Sequence, residues 1–250
     1  MKKNSLKKIP IDITTEKDIQ VDYHIHTNYT DGKDSIENCV KTAIKIGLEE
    51  IAFTDHVWRT SPWVDDYVNE IKEVRKKYPE IKIWIGLEAK AINRGGDIDV
   101  TEENAKKVDF ILGVVHRKLP EEKGKYSDLS NLSAKEIVVL EVDLTKKLLQ
   151  NKLVDVIGHP TRTYYKYFYQ KKTEEHFPVE YLEEIAKEAA LQDKPLEYNA
   201  RVLSRDSLMA ICLKTGVSFT LGSDAHNIEE IGKFNYKEIY QKIMKWQQKY

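Results

Sequence analysis

The chain has 250 residues, with 40 lysines and arginines against 41 acids and a formal net charge of −1, which excludes a whole-protein positive field for steering onto nucleic acid. At 41% hydrophobic and 32% charged, it holds too much apolar material for wholesale disorder and enough to bury a sizeable core. Two distant cysteines, Cys39 and Cys212, exclude a disulfide framework and a Cys-x-x-Cys centre, and no apolar run is long enough to span a membrane.

The opening stretch, MKKNSLKKIPIDITT, is basic with no apolar run of signal length behind it. A cytoplasmic protein is therefore expected, with 1–18 a polar, solvated extension and 19–250 a single domain. Short apolar runs then alternate with segments of helical period. A strand over 19–23 precedes a helix over 35–46, which Asp34 or Ser35 can cap and Gly47 can close. A strand over 50–53 precedes a helix over 64–77, and one over 81–85 a short helical stretch over 101–107. The fourth strand, 110–115, leads to a helix over 134–150, opened by the capping-box pair Ser133 and Glu136. After the fifth, 153–157, comes TYYKYFYQKK, where Tyr164, Tyr165, Tyr167, Phe168 and Tyr169 read either as a stacking loop or lid or as a packed segment or dimer contact. Helices over 179–191 and 205–214 flank a strand over 196–198, and a strand over 217–221 precedes a final helix from 236. Seven units with nearly uniformly apolar strands predict an α/β fold, a distorted (β/α)7 TIM-like barrel, with an open doubly wound sheet as the alternative.

Six of the 7 histidines fall at or just after strand ends: His24 and His26, His56, His116, His159, and His226. Asp22, Asp31, Asp55, Glu88, Glu197 and Asp224 stand at equivalent places. In a parallel barrel these ends share one rim, so the side chains converge. His24 and His26 alternate on a strand and face the same way, as do Asp224 and His226. Any one of these residues alone reads as readily as a hydrogen-bonded structural group or a surface ion pair. Together, so many imidazoles and acids would repel or leave acceptors unsatisfied, and bound divalent metal resolves the conflict. Imidazole nitrogen with carboxylate oxygen and no thiolate suits Zn, Mn or Fe, and so many ligands imply two or three ions.

The segments VDYHIHTNYTDG, IAFTDH, IGLEA, GVVH, VIGHPTR, LEYNA and LGSDAH resemble, in order and spacing over 19–231, the polymerase and histidinol phosphatase (PHP) family of metallophosphoesterases. The resemblance implies a trinuclear centre. His24, His26, Glu88 and Asp224 would hold one metal, Glu88, His116 and His159 a second, with Glu88 bridging, and Asp31, His56 and His226 a third. Several histidinol phosphatases place a His in the stretch after His-x-His, where this chain has Asp31, as do PHP domains attached to family X DNA polymerases. His176 matches no motif and reads as an ordinary histidine.

The activity so implied is hydrolysis of a small phosphate monoester by a metal-bridging hydroxide, with Glu88, Asp224 and His226 at the reacting centre. Arg162 and Arg201 at the same rim, and Arg117 beside His116, are the candidates for gripping phosphate oxygens. Trp58 and Trp63 pose the same choice as the tyrosines between substrate contact and packing. Histidinol phosphate is the leading named substrate. A nuclease of the same family, an amidohydrolase-like metallohydrolase and a non-catalytic metal-binding module are the rivals. Nucleic acid is not favoured as partner, no membrane is expected, and a homo-oligomer is allowed.

Overall fold

The computed structural model describes residues 6–116, 131–171 and 177–249, the side chains of 168–171 excepted. Strand β1 (Val21–Ile25) pairs in parallel with β2 (Glu50–Phe53). Both β2 and β3 (His56–Val57) pair with β4 (Lys82–Lys90), so β2 and β3 are one strand interrupted at Thr54 and Asp55. The parallel sheet continues through β5 (Phe110–Val114), β6 (Val156–Gly158) and β7 (Leu196–Asn199) to β8 (Phe219–Gly222). It then closes on itself: Ala225 bridges Ile25, the His26 N–H donates to the Ala225 carbonyl at 2.8 Å, and the Ala225 N–H donates to that of His24 at 3.2 Å. The result is a nearly closed barrel of seven strands in one α/β domain, not the open sheet.

Outside it lie α1 (Ile36–Lys45), α2 (Val64–Lys77), α3 (Glu102–Ala105), α4 (Ala134–Gln150), α5 (Arg162–Lys171), α6 (Val179–Gln192), α7 (Arg205–Thr215) and α8 (Tyr236–Gln247). Their apolar stripes cover the strands. In α1, for example, Ile36, Cys39, Val40 and Ala43 are buried, the spacing of one helical face. Ser35 caps α1 by accepting the Asn38 N–H, while Asp34 instead accepts the Ile228 N–H, and Ser133 and Glu136 form the capping box of α4. Strands β1, β2, β5, β7 and β8 are buried along their whole length, and a few polar side chains of the sheet, such as Asp22, Glu88 and Glu197, are buried among the apolar ones. None of the helices described is long and apolar enough to cross a membrane.

Two expectations need correction. The described part of the N-terminal extension is only partly solvated: Leu6, Ile9 and Ile13 are buried, while Ile11, Asp12 and 14–17 are exposed. Ile9 lies antiparallel to Phe219, exchanging hydrogen bonds of 2.9 and 2.7 Å with it. The segment is rich in lysine, but burying each isoleucine is worth about 1.5–3 kcal/mol, while lysine stems can lie along the surface. The aromatic segment after the fifth strand is helix α5, not a loop, and of its readings the packed one holds for the described tyrosines. Tyr164 and Tyr167 are buried in it, Tyr164 edge-on to Phe177 at 5.1 Å and the Tyr167 hydroxyl donating to the Leu132 carbonyl. A tyrosine-rich run has weak helix propensity, and burial of this face overrides it.

Candidate metal centre

At the C-terminal rim, the end of β1 delivers His24 and, just beyond it, His26. The chain then folds back tightly, with the Gly32 N–H donating to the Thr27 carbonyl at 3.0 Å. A Cβ on Gly32 would lie 2.5 Å from the His26 carbonyl, so glycine is what allows Asp31 to turn over the His26 ring. Asp55, in the break between β2 and β3, ties this loop down by accepting from the Thr27 N–H, Thr27 Oγ1 and Thr30 Oγ1 at 2.9, 2.8 and 2.6 Å. Burial pushes its pKa up to about 6 against those three donors. When the strand resumes, His56 sits in register with Glu88. His116, His159 and Asp224 follow β5, β6 and β8. Both His159 and Asp224 have positive φ, 29° and 58°, a region that residues with a Cβ adopt at some cost.

Glu88 is the hub. Its Oε1 lies 2.8 Å from His159 Nε2, and its Oε2 lies 2.5, 3.5 and 3.9 Å from His56 Nδ1, His26 Nε2 and His24 Nε2. Asp224 Oδ1 is 3.4 Å from His26 Nε2 and 3.7 Å from His24 Nε2. Asp31 Oδ2 stands 3.3 Å from both His56 Nε2 and His226 Nε2. Among the described residues three groups have donor atoms all within 4.8 Å of one another: His24, His26 and Asp224; His56, Glu88 and His116; and His26, Asp31, His56 and His226. They share His26 and His56, so they form one continuous centre.

Three carboxylates in so small a space demand positive charge. Burial opposes the charged form of Glu88, yet His56 and its other imidazoles hold its pKa well below the usual range. Burial likewise opposes charge on Asp224, and His24, His26 and Arg162 lower it. The imidazoles divide: His56 is pushed up to about 10 by Glu88 and Asp31 in spite of burial, whereas burial brings His26 down to about 4 and His116 to about 3. His24 Nε2 and His26 Nε2 face each other at 3.0 Å. The buried atoms His26 Nδ1, His159 Nδ1 and Glu88 Oε2 have no hydrogen-bond partner; at Glu88 Oε2 the imidazoles are close but not aligned to donate. Buried polar atoms normally find partners, and lone pairs converging without protons between them suit divalent cations. The residues fit the ions expected of them.

Around the donors lies a supporting layer, of which the sequence marks the position of Glu197 but not its task, and does not mark Glu141. The Glu197 carboxylate accepts from His24 Nδ1 at 2.7 Å and from the His159 backbone N–H, fixing the ring that faces the centre. A Cβ at Gly222 would fall 1.7 Å from Glu197 Oε1, so that glycine makes the pairing possible. Glu141, buried on α4, accepts the Thr163 and Tyr164 N–H groups, both at 2.9 Å, and thereby caps α5 from outside. Thr163 Oγ1 in turn donates to the His116 carbonyl at 2.8 Å.

All nine residues expected as ligands, His24, His26, Asp31, His56, Glu88, His116, His159, Asp224 and His226, come together. Arg162, the first residue of α5, joins them by pairing with Asp224. Arg201 stands one step away, paired with Glu230 at 2.5 Å, and the same Glu230 oxygen accepts the His226 N–H. Arg117 and His176 lie outside the described residues. Trp63 packs against Tyr29 and Tyr67, whereas Trp58 stands edge-on to His56 with ring centroids 6.3 Å apart.

The PHP domain profile matches residues 22–201. A probable phosphatase of Acetivibrio thermocellus is 26% identical over 218 residues, covering 86% of this chain and 83% of the relative. The DNA polymerase/3'-5' exonuclease PolX of Bacillus subtilis is 24% identical over 221 residues, 84% of this chain but 35% of the polymerase, so the chain spans about a third of that protein. Among solved structures, the histidinol phosphate phosphatase of Lactococcus lactis, complexed with zinc, L-histidinol and phosphate, superposes with a TM-score of 0.65 at 22% identity, covering 92% of this chain and 93% of the other. That likeness is one of fold.

Proposed function

The chain belongs to the PHP-domain family, and from that premise we propose that it is a metal-dependent phosphoesterase whose substrate is a small phosphate monoester. The observation that carries this reading is the sharing of His26 and His56 between donor groups at one rim, an arrangement for several ions rather than one. His24, His26, Glu88 and Asp224 would hold one ion; Glu88, His116 and His159 a second; and Asp31, His56 and His226 a third. Zn, Mn and Fe all suit that donor set. Divalent ions, when bound, neutralise phosphoryl oxygens and make water acidic enough to act as a nucleophile at neutral pH.

The chain's own residues do the rest. Glu197 holds the His24 ring in one orientation, and Asp31 stands between the His56 and His226 rings. Arg162, anchored at the N-terminus of α5 and held over the centre by Asp224, presents its remaining N–H groups to phosphate oxygens. Arg201 reaches His226 through Glu230, which accepts from both. The near-neutral net charge favours a small ester over a nucleic acid; the match to a polymerase and exonuclease keeps an oligonucleotide in the test.

The test is a phosphoester panel of aryl phosphate, histidinol phosphate, nucleotides and a short oligonucleotide, with the protein reloaded separately with Mn, Zn and Fe. Turnover of monoesters by at least one metal form is expected. A fully metallated protein that hydrolyses no phosphoester would return the chain to the non-catalytic reading, and cleavage of the oligonucleotide alone would make it a nuclease.

A further inference from the structure

The register that sets His56 opposite Glu88 continues past the metal layer. Val57 pairs with Ala89, and the next residues on the two lines are Trp58 and Lys90. Alternation along a strand puts them on the same face as His56 and Glu88, about 7 Å further out at two residues of rise. Trp58, Lys90, His56, Glu88, His116 and Val114 line a cavity of about 80 Å³ beside the centre. Trp58 is 40% exposed there, so its indole face is open to a ligand.

The Lys90 ammonium lies 5.9 Å from the Trp58 ring centroid and 3.6 Å from Asp99 Oδ2, beyond hydrogen-bond reach of the carboxylate. Asp99 meanwhile accepts the Arg59 N–H through its other oxygen at 3.0 Å. Asp99 is thus the ion-pair partner of Lys90, and with three N–H donors the ammonium keeps capacity for a further acceptor although its side chain is only 30% exposed. A half-buried ammonium with unused donors at the edge of an anion-binding centre suits an oxyanion.

We propose that Trp58 and Lys90 form a subsite for the alcohol half of the substrate, selecting phosphate monoesters whose leaving group carries an oxyanion, either a carboxylate or a second phosphate. The proposal rests on the phosphoesterase reading and sharpens it. The indole face walls the carbon chain, the ammonium takes the distal anion, and the two anions of the substrate are spaced by about the two-residue step between Glu88 and Lys90. A leaving group bearing an ammonium, as in histidinol phosphate, meets Lys90 as a like charge and is disfavoured.

Three phosphonates that cannot be hydrolysed, butylphosphonate, phosphonobutyrate and aminobutylphosphonate, separate the contributions when titrated by calorimetry into the full chain loaded with Mn. Wild type is expected to bind phosphonobutyrate about tenfold more tightly than butylphosphonate, the scale of one charge-assisted contact, and aminobutylphosphonate least well. Lys90→Met should bring the ratio of the first two close to one, and Lys90→Arg should restore most of it. A bisphosphonate of the same length, run alongside, distinguishes a second phosphate from a carboxylate as the preferred anion. A wild-type ratio near one, or a ratio unchanged in Lys90→Met, overturns the subsite while the phosphoesterase reading stands. Failure of every phosphonate to bind, together with no turnover of any monoester, overturns both.

Discussion

At Glu88 a single carboxylate meets four imidazoles, those of His24, His26, His56 and His159. Replacing it by alanine leaves those rings without their shared anion, so Glu88→Ala should lower turnover by roughly a hundredfold or more and reduce bound metal, measured by elemental analysis beside steady-state rates. Its cooperative unfolding should persist, because the hydrophobic core is untouched. Gly222→Ala tests the supporting layer: the new Cβ would fall 1.7 Å from Glu197 Oε1 and must push that carboxylate off His24. Metal affinity should drop by about 10- to 100-fold, as when an outer partner of a ligating His is lost; a metal titration that matches wild type would show Glu197 to be dispensable. Glu88 is legible in the sequence because an acid that ends an apolar strand needs a partner. The task of Glu197 is not, since its partner His24 lies 173 residues away on a strand that only the closed sheet brings near.

The alternation of apolar runs and helical stretches is legible from local pattern, and α2 and α4 begin and end where periodicity and capping place them. Helix α5 is the exception. Its tyrosines favour no particular state, and its N-terminal N–H groups are satisfied by Glu141 of another helix, a partner no local motif reveals. Burial raises the Glu141 pKa from its ordinary 4.5 to about 7, although the two N–H groups pull it down. Because the folded value is the higher one, the stability linked to this proton is fully present below pH 4.5 and lost as pH rises through about 7. Glu141→Gln removes that linkage, so the stability of the variant relative to wild type should climb between about pH 5 and 7 in denaturant titrations. Parallel curves at all pH values would deny Glu141 this role. The N-terminal segment was misread for a related reason: Ile9 finds its partner in Phe219, at the far end of the chain. Ile9→Ala should cost about 2–4 kcal/mol in the same measurement.

For the molecule as a whole, ions that bind only the folded chain add stability by mass action. Chelation should therefore abolish activity and lower Tm, and readdition of metal should raise Tm with its concentration, readable by calorimetry. A Tm indifferent to metal would mean that these donors hold none. Closure of the barrel between β1 and the residues after β8, where Ala225 bonds to His24 and His26, carries its own consequence. The groups His24, His26 and Asp224, and His26, Asp31, His56 and His226, draw on both extremities of the chain. Until 224–226 have been made, a growing polypeptide owns two of the three donors of the first group and three of the four of the second, so those two groups can close on metal only once the two edges of the barrel have met.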